Sequence, residues 1–238
     1  MSKKTDSVIC IICARGGSKG LLRKNMRLLD GEPLIARPIR HAQESLVVDK
    51  IIVSTDDMDI AEVAQNLGAI VPFIRPSNLS GDLDTTEATI QHALLEYESI
   101  SQTTFDIGVH LTATDIFRKS NWISEAVSLL KADPDLESVF SGHRTHKNFW
   151  QQRENGTWER LQPWMSEYSS RQIRRSVIRE DTGLTCASRA NLWRAGRRIG
   201  DNVQVLINDD SFTGIDIHTE EDLALAEAAI AIRSRISD

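Results

Sequence analysis

Three basic residues and three glycines lie close together near the start of the chain, directly after an apolar run over residues 8–13. Glycines let backbone N–H groups approach a bound anion, and basic side chains neutralise its charge. A buried strand that ends in such a loop is typical of a nucleotide-phosphate site, because ligands of open α/β sheets bind at the carboxyl ends of the strands. The spacing differs from the P-loop and dinucleotide-binding patterns. The loop contains Ala14, Arg15, Gly16, Gly17, Ser18, Lys19, Gly20, Lys24 and Asn25.

The three cations of this loop, Arg15, Lys19 and Lys24, fall within ten residues. That density of positive charge suits a triphosphate, and it would offset the negative charge that develops on a departing pyrophosphate. We therefore predict that these side chains bind phosphate and act in catalysis, rather than forming a solvated basic loop.

A second candidate set lies near the C-terminus, where a single residue separates Asp216 from His218. Side chains two apart in a strand point to the same face, so this pair could bind a divalent ion or orient a substrate. Magnesium prefers oxygen ligands, which makes His218 an unusual partner for it. Asp222, at the start of the next predicted helix, supplies a second carboxylate only if the turn bends back.

A third set of polar residues follows the dipeptide at residues 75–76. It contains Arg75, Asp82, Asp84, Thr85 and Thr86. Polar loops after strands can recognise a base or a sugar, but loop polarity alone predicts no site. His143 and His146 could pair as metal ligands, yet no acidic residue lies beside them in the sequence, and we assign them no function from it.

Strands and helices alternate along the chain. Apolar runs predict strands over residues 8–13, 50–55, 69–74, 106–111, 138–141, 203–207 and 214–218, with a return to the sheet near 182–187. Apolar residues at helical spacing predict helices over residues 33–45, 57–67, 85–97, 122–130 and 223–236. This alternation favours an α/β fold with a mostly parallel sheet and helices on both faces. The 238 residues fit a single domain over 1–238.

Residues 143–178 differ from the rest of the chain because they contain three of its five tryptophans together with many arginines. Asn155 and Gly156 predict a hairpin turn within this stretch. Aromatic and arginine enrichment is typical of interface cores, although a surface flap over a small core would have the same composition. RNA binding is disfavoured, because the chain is acidic overall. We predict that 143–178 is an extension inserted into the domain.

Bulk composition excludes several classes of protein. The net charge of −6 at pH 7 argues against broad nucleic-acid binding. No apolar run approaches the roughly 18 residues of a membrane helix. The chain has three cysteines, and Cys10 and Cys13 form a C-x-x-C pattern. Strand alternation places these two thiols on opposite faces, which suits neither a disulfide nor a shared metal ion. We expect a cytoplasmic protein without membrane or nucleic-acid partners.

Four segments, in this order, resemble the acylneuraminate cytidylyltransferases, which are also called CMP-sialic acid synthetases. They are the glycine-rich loop at 14–25, the Val-Ser-Thr-Asp segment at 53–56, the Arg-Pro-Ser-Asn-Leu-Ser-Gly-Asp segment at 75–82 and the Ile-Asp-Ile-His-Thr-Glu-Glu-Asp-Leu segment at 215–223. The resemblance is close over residues 8–98 and 214–230 and loose over 105–213.

The resemblance implies a Rossmann-like fold and transfer of CMP from CTP to an acidic sugar, with Mg²⁺ bound by Asp216. It implies that Arg15, Lys19 and Lys24 hold the triphosphate. By the same resemblance, the cytidine would be surrounded by Asn25, Arg75, Asp84 and Thr86.

The resemblance also implies a homodimer, built by an extension that reaches over the active site of the partner. Residues 143–178 fit that role. Arg171, Gln172 and Arg179 would then contact the carboxylate of the acceptor, since arginine binds carboxylates in a bidentate manner.

The chain departs from the family pattern mainly in the acceptor half. His218 stands where the family has a second metal-binding aspartate. The family segment Leu-Gln-Pro-Thr-Ser-Pro-Leu-Arg is Leu-Thr-Ala-Thr-Asp-Ile-Phe-Arg at 111–118, so Thr112 and Thr114 become the candidate acceptor contacts. Residues 181–186 replace the family's Asn-Gly-Ala-Ile-Tyr-Ile.

We therefore expect a CTP enzyme whose acceptor is not ordinary sialic acid. Among acidic acceptors, the sequence does not choose between a sialic acid, a nonulosonic acid of the legionaminic or pseudaminic type, a deoxyoctulosonic acid and a phosphonate. A non-catalytic nucleotide-binding protein and an enzyme that uses another base are the alternative classes.

Overall fold

A computed structural model describes residues 6–81, 83–170 and 172–237. Its strands are β1 (Val8–Cys13), β2 (Leu28–Leu29), β3 (Glu32–Pro33), β4 (Lys50–Ser54), β5 (Ile107–Leu111), β6 (Ser138–Thr145), β7 (Trp150–Gln152), β8 (Trp158–Arg160), β9 (Val177–Glu180), β10 (Cys186–Arg189) and β11 (Val203–Asn208). Its α-helices are α1 (Ala36–Glu44), α2 (Met58–Asn66), α3 (Thr86–Ser101), α4 (Ser120–Ala132), α5 (Ala190–Arg194) and α6 (Glu220–Ser237).

The central sheet has seven strands in the order β11-β6-β10-β5-β1-β4, and β9 pairs with β6 beside this path. β1 lies between β4 and β5 and is parallel to both, and β11 is parallel to β6. β10 is antiparallel to both of its neighbours. The predicted α/β fold with a mostly parallel sheet is confirmed, and the return to the sheet after residue 182 is an antiparallel strand.

The sheet has one apolar cluster on each face, as its near-continuous apolar strands predict. Cys10 belongs to the larger cluster, which includes residues of α1 and α4, whereas Cys13 packs against the smaller one, which includes residues of α3 and α5. The two thiols therefore lie on opposite faces, and both are free. Burial raises the pKa of each to about 12, so neither acts as a thiolate at neutral pH.

Two of the predicted strands are wrong. Over residues 69–74 the chain makes only isolated bridges, from Ile70 to Ile52 and from Ile74 to Thr55. Pro72 lies between these bridges and has no N–H to donate to a ladder. Residues 214–218 likewise contribute one isolated bridge, between Asp216 and Asp115, after a 3₁₀ turn at Ser211–Gly214.

The extension begins within β6 and returns through β9. It contains the β7–β8 hairpin, whose turn has Gly156 at a φ of 81°, as the Asn-Gly dipeptide predicts. The indole of Trp158 is 63% exposed, and Trp150 is half-exposed with the Arg160 guanidinium 4.3 Å above its ring. Among the described residues, no helix is long and apolar enough to cross a membrane.

Candidate active site

The main cleft lies beyond the carboxyl ends of β1 and β5, at the edge where ligands of such sheets bind. Its volume is about 270 Å³. It is lined by Cys13, Arg15, Ser18, Lys24, Asn25, Arg75, Leu79, Gly81, Asp84, Thr86, Thr89, Thr112, Ala113 and Thr114. Residues of the glycine-rich loop, of the polar set at 75–86 and of the 111–118 segment therefore meet in one cavity.

Local hydrogen bonds hold the glycine-rich loop at the end of β1. The N–H of Ala14 donates to the carbonyl of Ser54 at 3.0 Å, which continues the pairing with β4. The buried amide of Asn25 donates to the carbonyl of Arg15 at 2.9 Å and so fastens the two ends of the loop together. Asn25 lines the predicted cleft, but its side-chain N–H already positions the loop.

The glycines of the loop allow close approach between chain segments. A Cβ at Gly20 would lie 2.5 Å from the carbonyl oxygen of His218, and one at Gly16 would lie 2.5 Å from Asp57 Oδ2. The N–H of Gly16 donates to Asp56 Oδ1 at 2.9 Å, so this N–H is already engaged within the protein. Apart from its two chain neighbours, no described residue has a heavy atom within 4 Å of a Cβ built at Gly17.

The three loop cations meet around a second cavity, the basic recess, with a volume of about 360 Å³. It is lined by Arg15, Ser18, Lys19, Gly20, Leu21, Lys24, His218 and Thr219. Arg15 and Lys24 line both the main cleft and this recess, so the two cavities share a wall. Burial lowers the pKa of Lys24, while the charge of Asp216 opposes that effect. The recess can accept a polyphosphate that extends from the main cleft.

The opposite wall of the main cleft is built on Arg75 and the start of α3. Arg75 is 5% exposed, and its Nε donates to Ser80 Oγ at 3.1 Å. Asp84 Oδ2 accepts the N–H of Gly81 at 2.6 Å, and Thr86 opens α3. Arg75, Asp84 and Thr86 all line the cleft, and Arg75 and Asp84 also hold the chain at Ser80 and Gly81 by these hydrogen bonds. Asp82 lies outside the described residues.

His218 lines the basic recess, and Asp216 lies beside it in contact with His218. His218 Nε2 is 2.7 Å from Asp216 Oδ2, and its Nδ1 is 3.4 Å from Lys24 Nζ. Asp222 accepts the N–H groups of His218 and Thr219 at 2.9 Å each, which caps α6. Asp222 therefore does not supply the second carboxylate that the sequence left open.

A second carboxylate comes instead from Asp115, which sequence reasoning missed. Asp115 forms the isolated bridge with Asp216, and its Oδ2 accepts the hydroxyl of Thr112 at 2.6 Å. Burial and the nearby Asp216 charge raise the pKa of Asp115 to about 6. The sequence signal that could have identified Asp115 is its place: it is an acidic residue just after a buried strand, in a segment that departs from the family pattern.

These two carboxylates suit a magnesium ion. Asp216 Oδ1 is buried and has no hydrogen-bond partner among the described residues, and Asp115 adds further oxygen ligands. The described residues contain no cluster of three or more acidic, histidine or cysteine side chains of the kind that holds a metal by itself. Magnesium sites in phosphate-transfer enzymes commonly use one or two carboxylates together with substrate phosphates, so the donor set fits.

The predicted acceptor residues are divided between two cavities. Thr112 and Thr114 line the main cleft. Arg179 lines a neighbouring acidic recess of about 360 Å³, together with Asp115, Glu180, Asp181, Thr182, Gly183, Thr213, Gly214 and Asp216. The Arg179 guanidinium makes a two-point contact with Asp181 at 2.7 and 2.9 Å. Gln172 is exposed and lines neither cavity, and Arg171 lies outside the described residues.

A buried arginine connects the two acceptor segments. Arg118 donates to the carbonyls of Thr112 and Gly183 at 2.9 and 2.6 Å, and its Nε donates to the carbonyl of Leu184. Burial lowers the pKa of Arg118 to about 10. This clamp holds the loop after β5 against the turn before β10, and so determines the shape of the acidic recess.

Comparison with known proteins assigns this chain to a family. The sequence model of the family described as cytidylyltransferase matches residues 9–175. The pseudaminic acid cytidylyltransferase of Campylobacter jejuni (strain 81-176) is 46% identical over 94 residues, 40% of each chain. The CMP-N,N'-diacetyllegionaminic acid synthase of Legionella pneumophila is 40% identical over 124 residues, 52% of this chain and 53% of the other. The match therefore spans about half the length of these relatives or less.

The fold has a counterpart among solved structures. A CMP:2-keto-3-deoxy-manno-octonic acid synthetase complexed with CTP superimposes with a TM-score of 0.68 at 16% identity, over 95% of this chain and 99% of that one. At this identity the likeness concerns the fold alone. The family match covers more than half of the chain and includes the glycine-rich loop and the cleft. This chain belongs to the cytidylyltransferase family.

Proposed function

We propose that this chain transfers CMP from CTP to an acidic sugar of the nonulosonic or related 2-keto class and releases pyrophosphate. The observation that carries the proposal is the meeting of Arg15, Lys19 and Lys24 around one recess that shares a wall with the main cleft, while the negative charge of Asp216 acts on Lys24 from beside it. Triphosphate chemistry needs such a concentration of positive charge beside a carboxylate that can hold a cation.

In the proposed reaction, the hydroxyl oxygen of the acceptor attacks the α-phosphorus of CTP in line with the departing pyrophosphate. A new bond forms between this oxygen and the α-phosphorus, the bond from the α-phosphorus to the oxygen that bridges to the β-phosphate breaks, pyrophosphate takes that electron pair, and the hydroxyl proton passes to water. Arg15 and Lys19 stabilise the negative charge that accumulates on pyrophosphate. Such catalysis depends mainly on positioning and charge neutralisation rather than on covalent chemistry of the protein.

Asp216 and Asp115 would hold magnesium at the junction of the basic and acidic recesses. When bound, this ion supplies positive charge to the phosphate oxygens of the substrate. His218 contacts Asp216 from the other side and orients its carboxylate, in place of acting as a ligand itself. The chain thus retains two carboxylates although it lacks the aspartate expected at position 218.

We also propose that the protein is a homodimer formed through the extension. Trp158, Tyr168 and Ile173 of the extension are 63%, 73% and 77% exposed, a concentration of apolar surface that a monomer rarely leaves uncovered. Large aromatic side chains are the typical anchors of protein interfaces.

The acceptor is proposed from the site and from the relatives together. Their names refer to pseudaminic and legionaminic acids, both of which are acidic, and a phosphonate is the second candidate. Arg179 is engaged by Asp181, and the acidic recess carries Asp115 and Glu180 besides. This arrangement favours an acceptor that presents hydroxyl or amide donors to the recess.

The test is pyrophosphate release from CTP with Mg²⁺ across a panel of nonulosonic acids, deoxyoctulosonic acid and phosphonates, with ATP, GTP and UTP as controls. We expect release with CTP alone and with one acceptor class. Release with another nucleotide would contradict the assignment of the base. CTP binding with no release for any acceptor would favour a non-catalytic nucleotide-binding protein.

A further inference from the structure

The extension encloses a cavity of about 390 Å³ that the proposed function does not use. We call it the extension cavity. It is lined by His143, Arg144, Thr145, His146, Lys147 and Arg174. A volume of this size is sufficient for a small organic ligand. The cavity also brings together the two histidines to which the sequence assigned no role.

The chemistry of the lining selects an anion. Each lining side chain is basic or, in the case of Thr145, a hydroxyl, and no carboxylate is among them. One lining residue, Arg144, has an acidic partner outside the cavity lining: its Nε is 3.6 Å from Asp209 Oδ1. A metal ion would be repelled by Lys147 and Arg174, although two histidines are present, whereas an oxyanion gains charge-assisted hydrogen bonds from the same groups.

Three details show that the donors are held in place and not fully used. The Nδ1 atom of His146 is buried and has no hydrogen-bond partner among the described residues. Buried polar atoms are normally paired, so such an atom indicates a missing partner. Arg174 donates to Asn148 Oδ1 at 2.5 Å, which fixes the guanidinium at the cavity wall. His143 Nδ1 lies 3.4 Å from Asn208 Oδ1, at the end of β11.

We propose that the extension cavity is a binding site for a small oxyanion, a phosphate or carboxylate group, separate from the nucleotide-binding cleft. The register between β6 and β9 pairs His143 with Arg179, so the cavity lies beside the acidic recess. This proposal goes beyond the proposed cytidylyl transfer and does not depend on it, because it concerns the binding of an anion by the extension.

The experiment is calorimetric titration of the full chain with inorganic pyrophosphate and, separately, with pyruvate. The test variants are Arg174→Gln and Lys147→Gln, each of which removes one charge from the lining. The matched control is Arg175→Gln, because Arg175 is the sequence neighbour of Arg174, is exposed, and contacts Trp164 instead of the cavity. Lys19→Ala removes a charge from the basic recess and not from the extension cavity, so it identifies the part of the anion binding that takes place in the basic recess.

We expect Arg174→Gln and Lys147→Gln to weaken binding of at least one probe by about tenfold, the usual effect of losing a hydrogen bond to a charged group. Arg175→Gln should bind as the unaltered chain does, and Lys19→Ala should retain this component. Tighter binding of pyrophosphate identifies a phosphate site, and tighter binding of pyruvate identifies a carboxylate site. Binding that is lost only in Lys19→Ala, or that is absent for both probes, would overturn the proposal.

Discussion

The Lys24 ammonium group, His218 and Asp216 form a short polar chain, with 3.4 Å between the first two and 2.7 Å between the last two. The contact between Lys24 and His218 joins residues from opposite ends of the sequence, whereas His218 and Asp216 are two residues apart. Within the described part of the chain Asp216 Oδ1 has no hydrogen-bond partner, so the carboxylate is oriented by one oxygen and available through the other. Asp216 thus combines a positioning contact through one oxygen with an acceptor that a ligand can use.

Replacing Lys19 by alanine should lower kcat for pyrophosphate release by about 10²-fold or more, the usual loss when a group that stabilises transition-state charge is removed. The same holds for Arg15→Ala. Steady-state kinetics with CTP and a productive acceptor measure the effect. Lys131→Ala, an exposed change on α4, is the control. Unchanged turnover in the Lys19 variant would remove this residue from the mechanism.

Asp216→Asn should abolish turnover and leave the affinity for CTP within a few-fold, because the amide cannot provide the charge that a divalent cation needs. Equilibrium binding of CTP and pyrophosphate release are measured on the same preparation. His218→Asp tests the neighbouring position: a faster Mg²⁺-dependent rate would mean that the histidine weakens the site. Normal turnover in Asp216→Asn would show that the carboxylate is not required.

Loops and helix ends determine how these side chains are presented. α2 begins at Asp57, whose carboxylate caps the N–H groups of Asp59 and Ile60, and α3 begins at the Thr85 cap. Both helices start at the edge of the sheet where the main cleft lies. Regular elements therefore provide the rigid side of the site, and the glycine-rich loop must pack against the 216–222 turn.

Gly20→Ala should reduce the free energy of unfolding by about 1–3 kcal/mol, the usual cost of overpacking, because its Cβ would lie 2.5 Å from the His218 carbonyl oxygen. Gly17→Ala is the matched control, since nothing lies within 4 Å of the added carbon. Urea denaturation measures both. Equal stability of the two variants would mean that the loop and the turn do not pack as described.

Stability should fall as the pH decreases from about 6.5 towards 4, and His41 on α1 is one cause. Burial and the Arg118 charge lower the pKa of folded His41 to about 4, while the unfolded chain binds the proton near pH 6.5. Between these two pKa values the unfolded state binds more protons than the folded state. The contribution of His41 to the free energy of unfolding is therefore fully present above pH 6.5 and is lost as the pH falls towards 4. The total loss is about 3 kcal/mol.

The variant that tests this is His41→Gln, which removes the titrating group and keeps a polar side chain on the helix. We expect its free energy of unfolding to change less between pH 7.5 and pH 5 than that of the unaltered chain. Denaturant melts at the two pH values provide the comparison, and the values at the higher pH serve as the internal control. An identical pH dependence in both proteins would contradict the assignment.

At the scale of the whole molecule, the sheet and the extension have different surfaces. The strands of the sheet are covered by helices on both faces, whereas the extension exposes tryptophan and other apolar side chains. In the described part of the chain, β7 and β8 form a two-stranded sheet of their own, and isolated two-stranded hairpins are marginally stable in water. A partner subunit would supply the missing packing.

Trp158→Ser should weaken dimerisation by at least tenfold, since an exposed tryptophan in an interface commonly contributes 2 kcal/mol or more. Sedimentation equilibrium over a range of concentrations measures the dissociation constant. Leu46→Asn is the control, because Leu46 is 90% exposed outside the extension and has a φ of 59°, which asparagine tolerates. A monomer at every concentration would contradict the proposed dimer.

The local features of this protein are readable from its sequence. The apolar run of β1 followed by glycines and cations predicts both the strand and its loop, because neighbouring residues determine backbone conformation and charge density there. The alternating order of strands and helices predicts a mostly parallel sheet, because a helix between two strands lets the second strand run in the same direction as the first. The hairpin at Asn155 and Gly156 follows from the φ angles that this turn requires.

Other features depend on contacts between distant segments. The approach of Asp115 to Asp216, the use of Asp222 as a helix cap and the engagement of the Gly16 N–H by Asp56 involve side chains whose direction no local pattern specifies. The clamp of Arg118 on the turn before β10 brings the acceptor segments together across 65 residues. Residue types and their order determined the chemistry available, but only the packing of the chain decided which groups meet and which are already occupied.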